Sequence, residues 1–242
     1  MSNRLLYYIT DRSQFPGNES DRRHRLLDKI AEAARCGVDF IQLREKDLPS
    51  GDLAALVADA LSAIREATES AASDTVSTRL LINSRADIAI AVGAHGVHLR
   101  SDDISVSEAR EIFTAAAKGA ISRVRPRRWI VGASSPYLAE VRPDSENWIV
   151  GASCHSLAEV SCAAADGADF VVLAPIFEKT GVQPAGLEAL RSARALDIPV
   201  LALGGVTIEN AATCFAAGAA GIAGIRLFQE HYIANVVKKV RG

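Results

Sequence analysis

A regular alternation of short apolar runs with helical stretches limits what this chain can fold into more than any other feature. Apolar runs at 5–10, 38–44, 79–83, 96–99, 148–152, 170–177, 199–203 and 221–225 are each followed by a helical pattern. The first six of those helices are expected at 24–35, 51–69, 86–92, 105–118, 156–166 and 186–196. Apolar runs of this kind belong to strands covered on both faces, as parallel strands are. Turns such as Gly37-Val38-Asp39 and Gly167-Ala168-Asp169 stand directly before strands, where a helix has just ended. Eight such units in 242 residues fit a closed (β/α)8 TIM barrel, an α/β fold with eight parallel strands, better than an open sheet. No G-x-G-x-x-G follows the first run, which weakens a dinucleotide-binding reading. A single domain over 1–242 is expected.

One segment breaks the alternation. The stretch from Trp129 to Val141, beginning Trp-Ile-Val-Gly-Ala-Ser, is echoed 19 residues later by the stretch from Trp148 to Val160. Only one copy can be the fifth strand. The second runs on into a helix and the sixth apolar run, whereas Arg142-Pro143 stops the first. The second copy is therefore assigned to the barrel, and about 121–147 is read as an insertion ahead of the fifth strand.

Apolar residues make up 49% of the chain, enough for a core, and the formal net charge is −2. That balance gives no electrostatic case for a nucleic-acid or membrane partner. The four cysteines form no C-x-x-C pair and no zinc-finger spacing. No secretory leader or bilayer-spanning run is recognisable, so a cytoplasmic location is expected.

In a barrel the chemistry belongs at the carboxyl ends of the strands. The residues falling there are Gln42, Arg44 and Lys46; Asn83 and Ser84; His98, Arg100, Asp102 and Asp103; Ser153 and His155; Glu178 and Lys179. After the last two strands come Gly204-Gly205 and then Gly224 with Arg226. Glycine turns that open helices leave backbone N–H groups for a phosphate, here ahead of a helix for which Thr207 is the expected N-cap. Arg44 and Lys46 share one side of their strand by alternation. They either bind an anion or pair with Glu45, Asp11 or Asp47. Asp102 and Asp103 either hold Mg²⁺ with phosphate oxygens or cap the helix after Ser105. His155 is either a proton shuttle or a polar residue at a helix start.

Taken together, Ile41-Gln-Leu-Arg-Glu-Lys46, Leu80-Leu-Ile-Asn83, Ala91-Val-Gly-Ala-His-Gly-Val-His-Leu99, Gly151-Ala-Ser-Cys-His-Ser156, Pro175-Ile-Phe177 and Ala202-Leu-Gly-Gly-Val206 resemble the thiamine phosphate synthases. They equally resemble the related thiazole tautomerases of thiamine biosynthesis. The resemblance implies a transferase that joins hydroxymethylpyrimidine pyrophosphate to thiazole phosphate and releases pyrophosphate. By motif it puts Gln42 at the pyrimidine, and Arg44, Lys46, Asn83 and Ser153 at the pyrophosphate. Asp103 falls at Mg²⁺, Lys179 on a substrate loop, and Gly204, Gly205, Gly224 and Arg226 at the thiazole phosphate.

The chain departs from the synthase pattern at Ser84, where an aspartate helps to hold the metal, and at Arg100-Ser101, where Gly-Gln is usual. Arg226 stands where a serine is expected. The alternatives are a tautomerase, in which His155 moves a proton on thiazole carboxylate phosphate, or a thiamine-pathway binding protein without chemistry. The expected partners are the small phosphorylated pyrimidine and thiazole, and the expected assembly is a homodimer.

Overall fold

The computed structural model of the protein describes residues 4–69, 78–118, 148–177, 181 and 183–242. Its strands are β1 (Leu5–Ile9), β2 (Phe40–Leu43), β3 (Arg79–Asn83), β4 (Gly96–Leu99), β5 (Ile149–Cys154), β6 (Phe170–Leu173), β7 (Val200–Ala202) and β8 (Gly221–Gly224). They pair in parallel in chain order, and β8 returns to β1 to close the barrel. The helices are α1 (Glu19–Arg35), α2 (Ser50–Glu69), α3 (Ala86–Val92), α4 (Val106–Ala117), α5 (Leu157–Ala165), α6 (Gly186–Ala193), α7 (Ala211–Ala216), α8 (Arg226–Gln229) and α9 (Ile233–Arg241). The second copy of the repeat supplies β5. The first copy and the expected insertion at 121–147 lie outside the described residues, as do Glu178 and Lys179.

Strand alternation sends one set of side chains into the barrel and the other under the helices. The interior holds Tyr7, Ile9, Leu81, Phe170, Val172, Leu201 and Ala223. Tyr7 packs edge-on against Phe40 and Phe170, with ring centroids 6.0 and 5.3 Å away, while Phe40 and Phe170 stack at 5.0 Å. Outside the strands, Phe113 of α4 stacks on Trp148 at 4.3 Å with ring planes 9° apart, anchoring the start of β5.

The turns before β2, β4 and β6 share a device. Asp39 Oδ2 accepts the N–H of Leu6 at 2.7 Å, His95 Nδ1 that of Leu80 at 3.0 Å, and Asp169 Oδ2 that of Val150 at 2.6 Å. Each residue that starts an even strand thus satisfies a backbone donor of the odd strand before it, a group whose burial would otherwise be costly. The Gly-x-Asp turns of the sequence therefore do more than end helices. Arg241 of α9 pairs with Asp39 and donates to the carbonyls of Arg4 and Gly37 at 3.1 and 2.7 Å, fastening the last helix over the β8–β1 seam.

Several boundaries differ from the sequence reading, two of them at helix starts where the capping residues give the reason. Helix α1 begins at Glu19, not 24, because Asn18 and Asp21 form a capping box that reads in sequence as part of a polar loop. Helix α7 begins at Ala211 with Asn210 at its N-cap, and the Thr207 carbonyl accepts the N–H of Ala211 at 3.0 Å. Thr207 still does part of the expected work, since its Oγ1 accepts the N–H of Asn210 at 3.4 Å while Asn210 Oδ1 accepts that of Thr207 in return.

Truncating the α4–β5 stack tests this packing. Phe113→Ala is expected to lower stability by about 3–5 kcal/mol, read as a lower urea midpoint with the m-value unchanged.

Candidate active site

At the carboxyl end of β2 the chain splits its charges between two sides. Gln42 is buried, and its Nε2 donates to Asn83 Oδ1 at 2.9 Å. Strand β2 ends at Leu43, one residue short of the expected end, so Arg44 and Lys46 stand in the loop above it. The intervening Glu45 is buried on the other side. Its Oε1 accepts from Thr10 Oγ1 at 2.6 Å, and its Oε2 takes the guanidinium of Arg12 at 3.1 Å. Arg12 also grips Asp47 through two nitrogens, at 2.7 and 2.8 Å. Two of the three carboxylates that could have neutralised Arg44 and Lys46 are therefore held by Arg12. The third, Asp11, accepts from Ser13 and Gln14.

Among the described residues neither Arg44 nor Lys46 has a carboxylate within ion-pair distance. Arg44, and more weakly burial and Arg100, push the Lys46 amine down. Asp11 and Asp102 offset this only in part, and like charges gathered at a strand end with no carboxylate in contact favour an anion there. Strand alternation puts Arg44 and Lys46 together, but the Arg12 cluster that isolates them is nearly silent in the sequence. Its one sequence signal is that Glu45 and Lys46 must face opposite ways.

Beside this edge, Ser84 has a left-handed backbone, with φ of 62°. Its Oγ accepts from Asn83 Nδ2 at 3.0 Å and donates to Asp103 Oδ2 at 2.5 Å. Asp103 Oδ2 also accepts the N–H of Arg100 at 2.7 Å, while Oδ1 accepts no hydrogen bond among the described residues. Asp102 pairs with Arg100 instead, so the two aspartates do not converge. Neither of them caps α4, because Ser105 and Glu108 form its capping box. No cluster of three His, Cys, Asp or Glu side chains suited to a metal occurs among the described residues. Asp103 thus offers one carboxylate oxygen, which suffices for Mg²⁺ only when phosphate oxygens complete the shell.

Deeper in the mouth, His98 is buried, and its Nε2 lies 2.9 Å from Ser153 Oγ at the end of β5. Burial first, then Arg44, push its imidazole down to about 3, so the ring is neutral. Its Nδ1 has no hydrogen-bond partner among the described residues. An unpartnered lone pair is less costly than a stranded N–H, so the proton belongs on Nε2 and is donated to Ser153 Oγ. The Ser153 hydroxyl hydrogen is then free to point at a ligand. Gly151 makes room for this arrangement, since a Cβ there would lie 2.9 Å from His98 Nδ1 and 2.5 Å from Phe170. Burial pushes the neighbouring Cys154 thiol up to about 12, which leaves no thiolate nucleophile at the mouth. His155 is exposed, and its Nδ1 is held 2.7 Å from the carbonyl oxygen of Ala174 at the end of β6. Ser156, not His155, caps α5.

The last two strands end in the glycine turns. Gly204 and Gly205 have φ of 91° and 68°, and a Cβ on either would lie 2.7 Å from Pro175 or Phe177, so a side chain is excluded twice over. Asn210 pins the turn: its Nδ2 donates to the carbonyl of Gly205 at 2.8 Å, and its Oδ1 accepts the N–H of Thr207 at 2.8 Å. The N–H groups of Gly205, Val206, Ile225 and Arg226 reach no acceptor among the described residues. Gly224 is closed in by Leu227, and Arg226 is exposed at the start of α8. Strands β8 and β2 flank β1, so on one rim the turn after β8 lies one strand from the Arg44–Lys46 edge, and the Gly204–Gly205 turn after β7 lies two strands from it.

The two depressed histidines carry a pH signature. His98, and His95 at about 4, stay neutral when folded but protonate near pH 6.5 when unfolded. The unfolded chain therefore binds more protons below that pH, and stability is expected to fall as pH drops from about 6.5 toward 4. Each histidine contributes at most about 1.4 kcal/mol per pH unit. Urea unfolding across that range, with His98→Leu giving a shallower slope, checks this.

A family model described as thiamine monophosphate synthase matches residues 6–123 and 127–228. A thiamine-phosphate synthase of Methanoculleus marisnigri is 37% identical, over 90% of this chain and 84% of its own length. One from Roseiflexus castenholzii is 33% identical, over 90% and 78%. Among solved structures, thiamine phosphate pyrophosphorylase from Pyrococcus furiosus superposes with a TM-score of 0.70 at 26% identity, covering 99% of this chain and 95% of its own. With its eight-stranded barrel and two-part rim, the chain belongs to the thiamine monophosphate synthase family of thiamine biosynthesis.

Proposed function

We propose that this chain is a thiamine phosphate synthase, a transferase that joins hydroxymethylpyrimidine pyrophosphate to thiazole phosphate with release of pyrophosphate. The observation that carries the reading is the isolation of Arg44 and Lys46. Among the described residues they are two cations without carboxylate partners, on the same rim as a glycine turn whose N–H groups meet no acceptor there. A protein binding one phosphate needs only the second of these; a synthase with a pyrophosphate leaving group needs both.

The chemistry asks for little covalent participation by the protein. The bond from the pyrimidine methylene to the pyrophosphate oxygen breaks with its electron pair leaving on that oxygen. The thiazole nitrogen then supplies the pair for the new carbon–nitrogen bond. Negative charge grows on the departing pyrophosphate, so cations fixed beforehand stabilise the transition state more than the ground state. Arg44 and Lys46 fill that role, and Asn83 and Ser153 add hydrogen bonds.

Gln42, its amide held by Asn83, presents a fixed polar edge to the pyrimidine. The turns at Gly204–Gly205 and Gly224–Arg226 hold the thiazole phosphate and fix its ring nitrogen within reach, and Lys179 is assigned to the substrate by motif. Asp103 would hold Mg²⁺ through its open oxygen, with substrate oxygens completing the shell. When bound, the ion supplies further charge neutralisation for the leaving group.

Incubating the full chain with both phosphorylated substrates and Mg²⁺ is expected to yield thiamine phosphate; absence of product would sink the assignment. Arg44→Ala is expected to lower kcat/KM by about 10²-fold or more. One observation favours the tautomerase as a second reading: the His155 ring is fixed at Nδ1 on the rim, which leaves Nε2 for a proton transfer. Proton exchange on thiazole carboxylate phosphate, abolished in His155→Ala, would select it.

Ser84 gives a finer test. An aspartate tolerates the left-handed backbone at this position and would set a second carboxylate beside Asp103. Ser84→Asp is therefore expected to lower the Mg²⁺ concentration needed for half-maximal activity severalfold. An unchanged metal titration would mean that positions 84 and 103 do not share a metal.

A further inference from the structure

The family pattern assigns nothing to Arg100, yet the side chain stands at the edge where the leaving group must be held. We propose that Arg100 is a third cation of the pyrophosphate site, gripping the anion from the β4 side and supplying charge that Ser84 does not bring in through a metal. The inference rests on the synthase reading and deepens it.

Arg100 follows the last residue of β4, and its backbone N–H donates to Asp103 Oδ2. That bond folds the turn over Ser84, and the Arg100 side chain borders the same cleft as Lys46, Asn83 and Ser84. A second arginine, Arg85, borders the cleft as well, but Asp87 engages its Nε and Nη2 at 2.8 and 2.6 Å. Arg100 is engaged differently. Among the described residues its one side-chain partner is Asp102, met through Nη2 alone. Both members of that pair are close to half exposed or more, at 47% and 64%. An exposed pair competes with water and is weak, whereas a pyrophosphate offers the guanidinium two oxygens in the fork geometry it prefers.

Charge balance points the same way. At this edge the three cations Arg44, Lys46 and Arg100 stand with two carboxylates, Asp103 beside Ser84 and Asp102 on Arg100, which leaves one positive charge uncompensated. Arg100 adds to the field on the Lys46 ammonium and Asp102 offsets part of it, so an anion placed among the three cations is favoured. A site with this balance is expected to hold pyrophosphate in part without a divalent ion.

The test is titration of inorganic pyrophosphate into the full chain, in EDTA and again in Mg²⁺, followed by calorimetry. The wild type is expected to bind in EDTA, and Arg100→Gln to weaken that binding about tenfold or more, with a smaller loss in Mg²⁺. Affinity for thiazole phosphate should not change, which separates loss of a contact from local misfolding. Arg100→Lys is expected to recover part of the affinity, and Asp102→Asn, which frees the guanidinium, to tighten binding. Equal pyrophosphate affinity for wild type and Arg100→Gln in EDTA overturns the proposal, even if thiamine phosphate is formed. Loss of pyrophosphate binding in Arg100→Gln, in a chain that forms no thiamine phosphate, keeps the anion site and overturns the synthase reading instead.

Discussion

The Arg12 cluster is the interaction on which the rim depends. Glu45 is a buried carboxylate directly between Arg44 and Lys46 in sequence. Arg12 engages it from the β1 side while also holding Asp47 and Glu19. Thr10 completes the arrangement, accepting the N–H of Arg44 and donating to Glu45. Removing one member of such a buried pair typically costs about 3–5 kcal/mol, and here the unpaired partner would sit next to Arg44 and Lys46 in sequence. The cluster thus fixes backbone position and electrostatic availability with the same few atoms.

The two ends of the barrel treat backbone donors in opposite ways. At the amino end Asp39, His95 and Asp169 each satisfy an N–H of the neighbouring strand, and the result is a sealed floor. At the carboxyl end the N–H groups of Gly205, Val206, Ile225 and Arg226 meet no acceptor among the described residues. None of the four residues is buried, so water can satisfy these groups until an anion displaces it. His98 lies between these regimes. Its environment removes its charge and leaves a single hydrogen bond, whose direction decides where Ser153 can point.

Most of the architecture could be read from residue order, because buried parallel strands are written as contiguous apolar runs and their ends as glycine or polar residues. Positions such as Gln42, Asn83, Asp103 and Ser153 were legible for the same reason: a strand end in a barrel is a place on the rim. The rest depends on contacts distant in sequence. Nothing near Glu45 indicates that Arg12, 33 residues away, will neutralise it. Nothing near His98 shows that Phe170 and Gly151 will strip it of water. The start of α1 was missed for a local reason, since Asn18 and Asp21 act on backbone donors and look the same in a loop as in a cap.

The seam between β1 and β8 joins the two ends of the described chain. Arg4 Nη1 donates to the carbonyl of Val240, 236 residues away, at 2.6 Å, and Arg241 returns three contacts to Arg4, Gly37 and Asp39. Loops of that span are the slowest to close. Until β8 pairs with β1, each of the two strands presents an open edge. By holding Arg4, Gly37 and Asp39, the final helix fixes the start of β1 where the last strand of the barrel has to meet it.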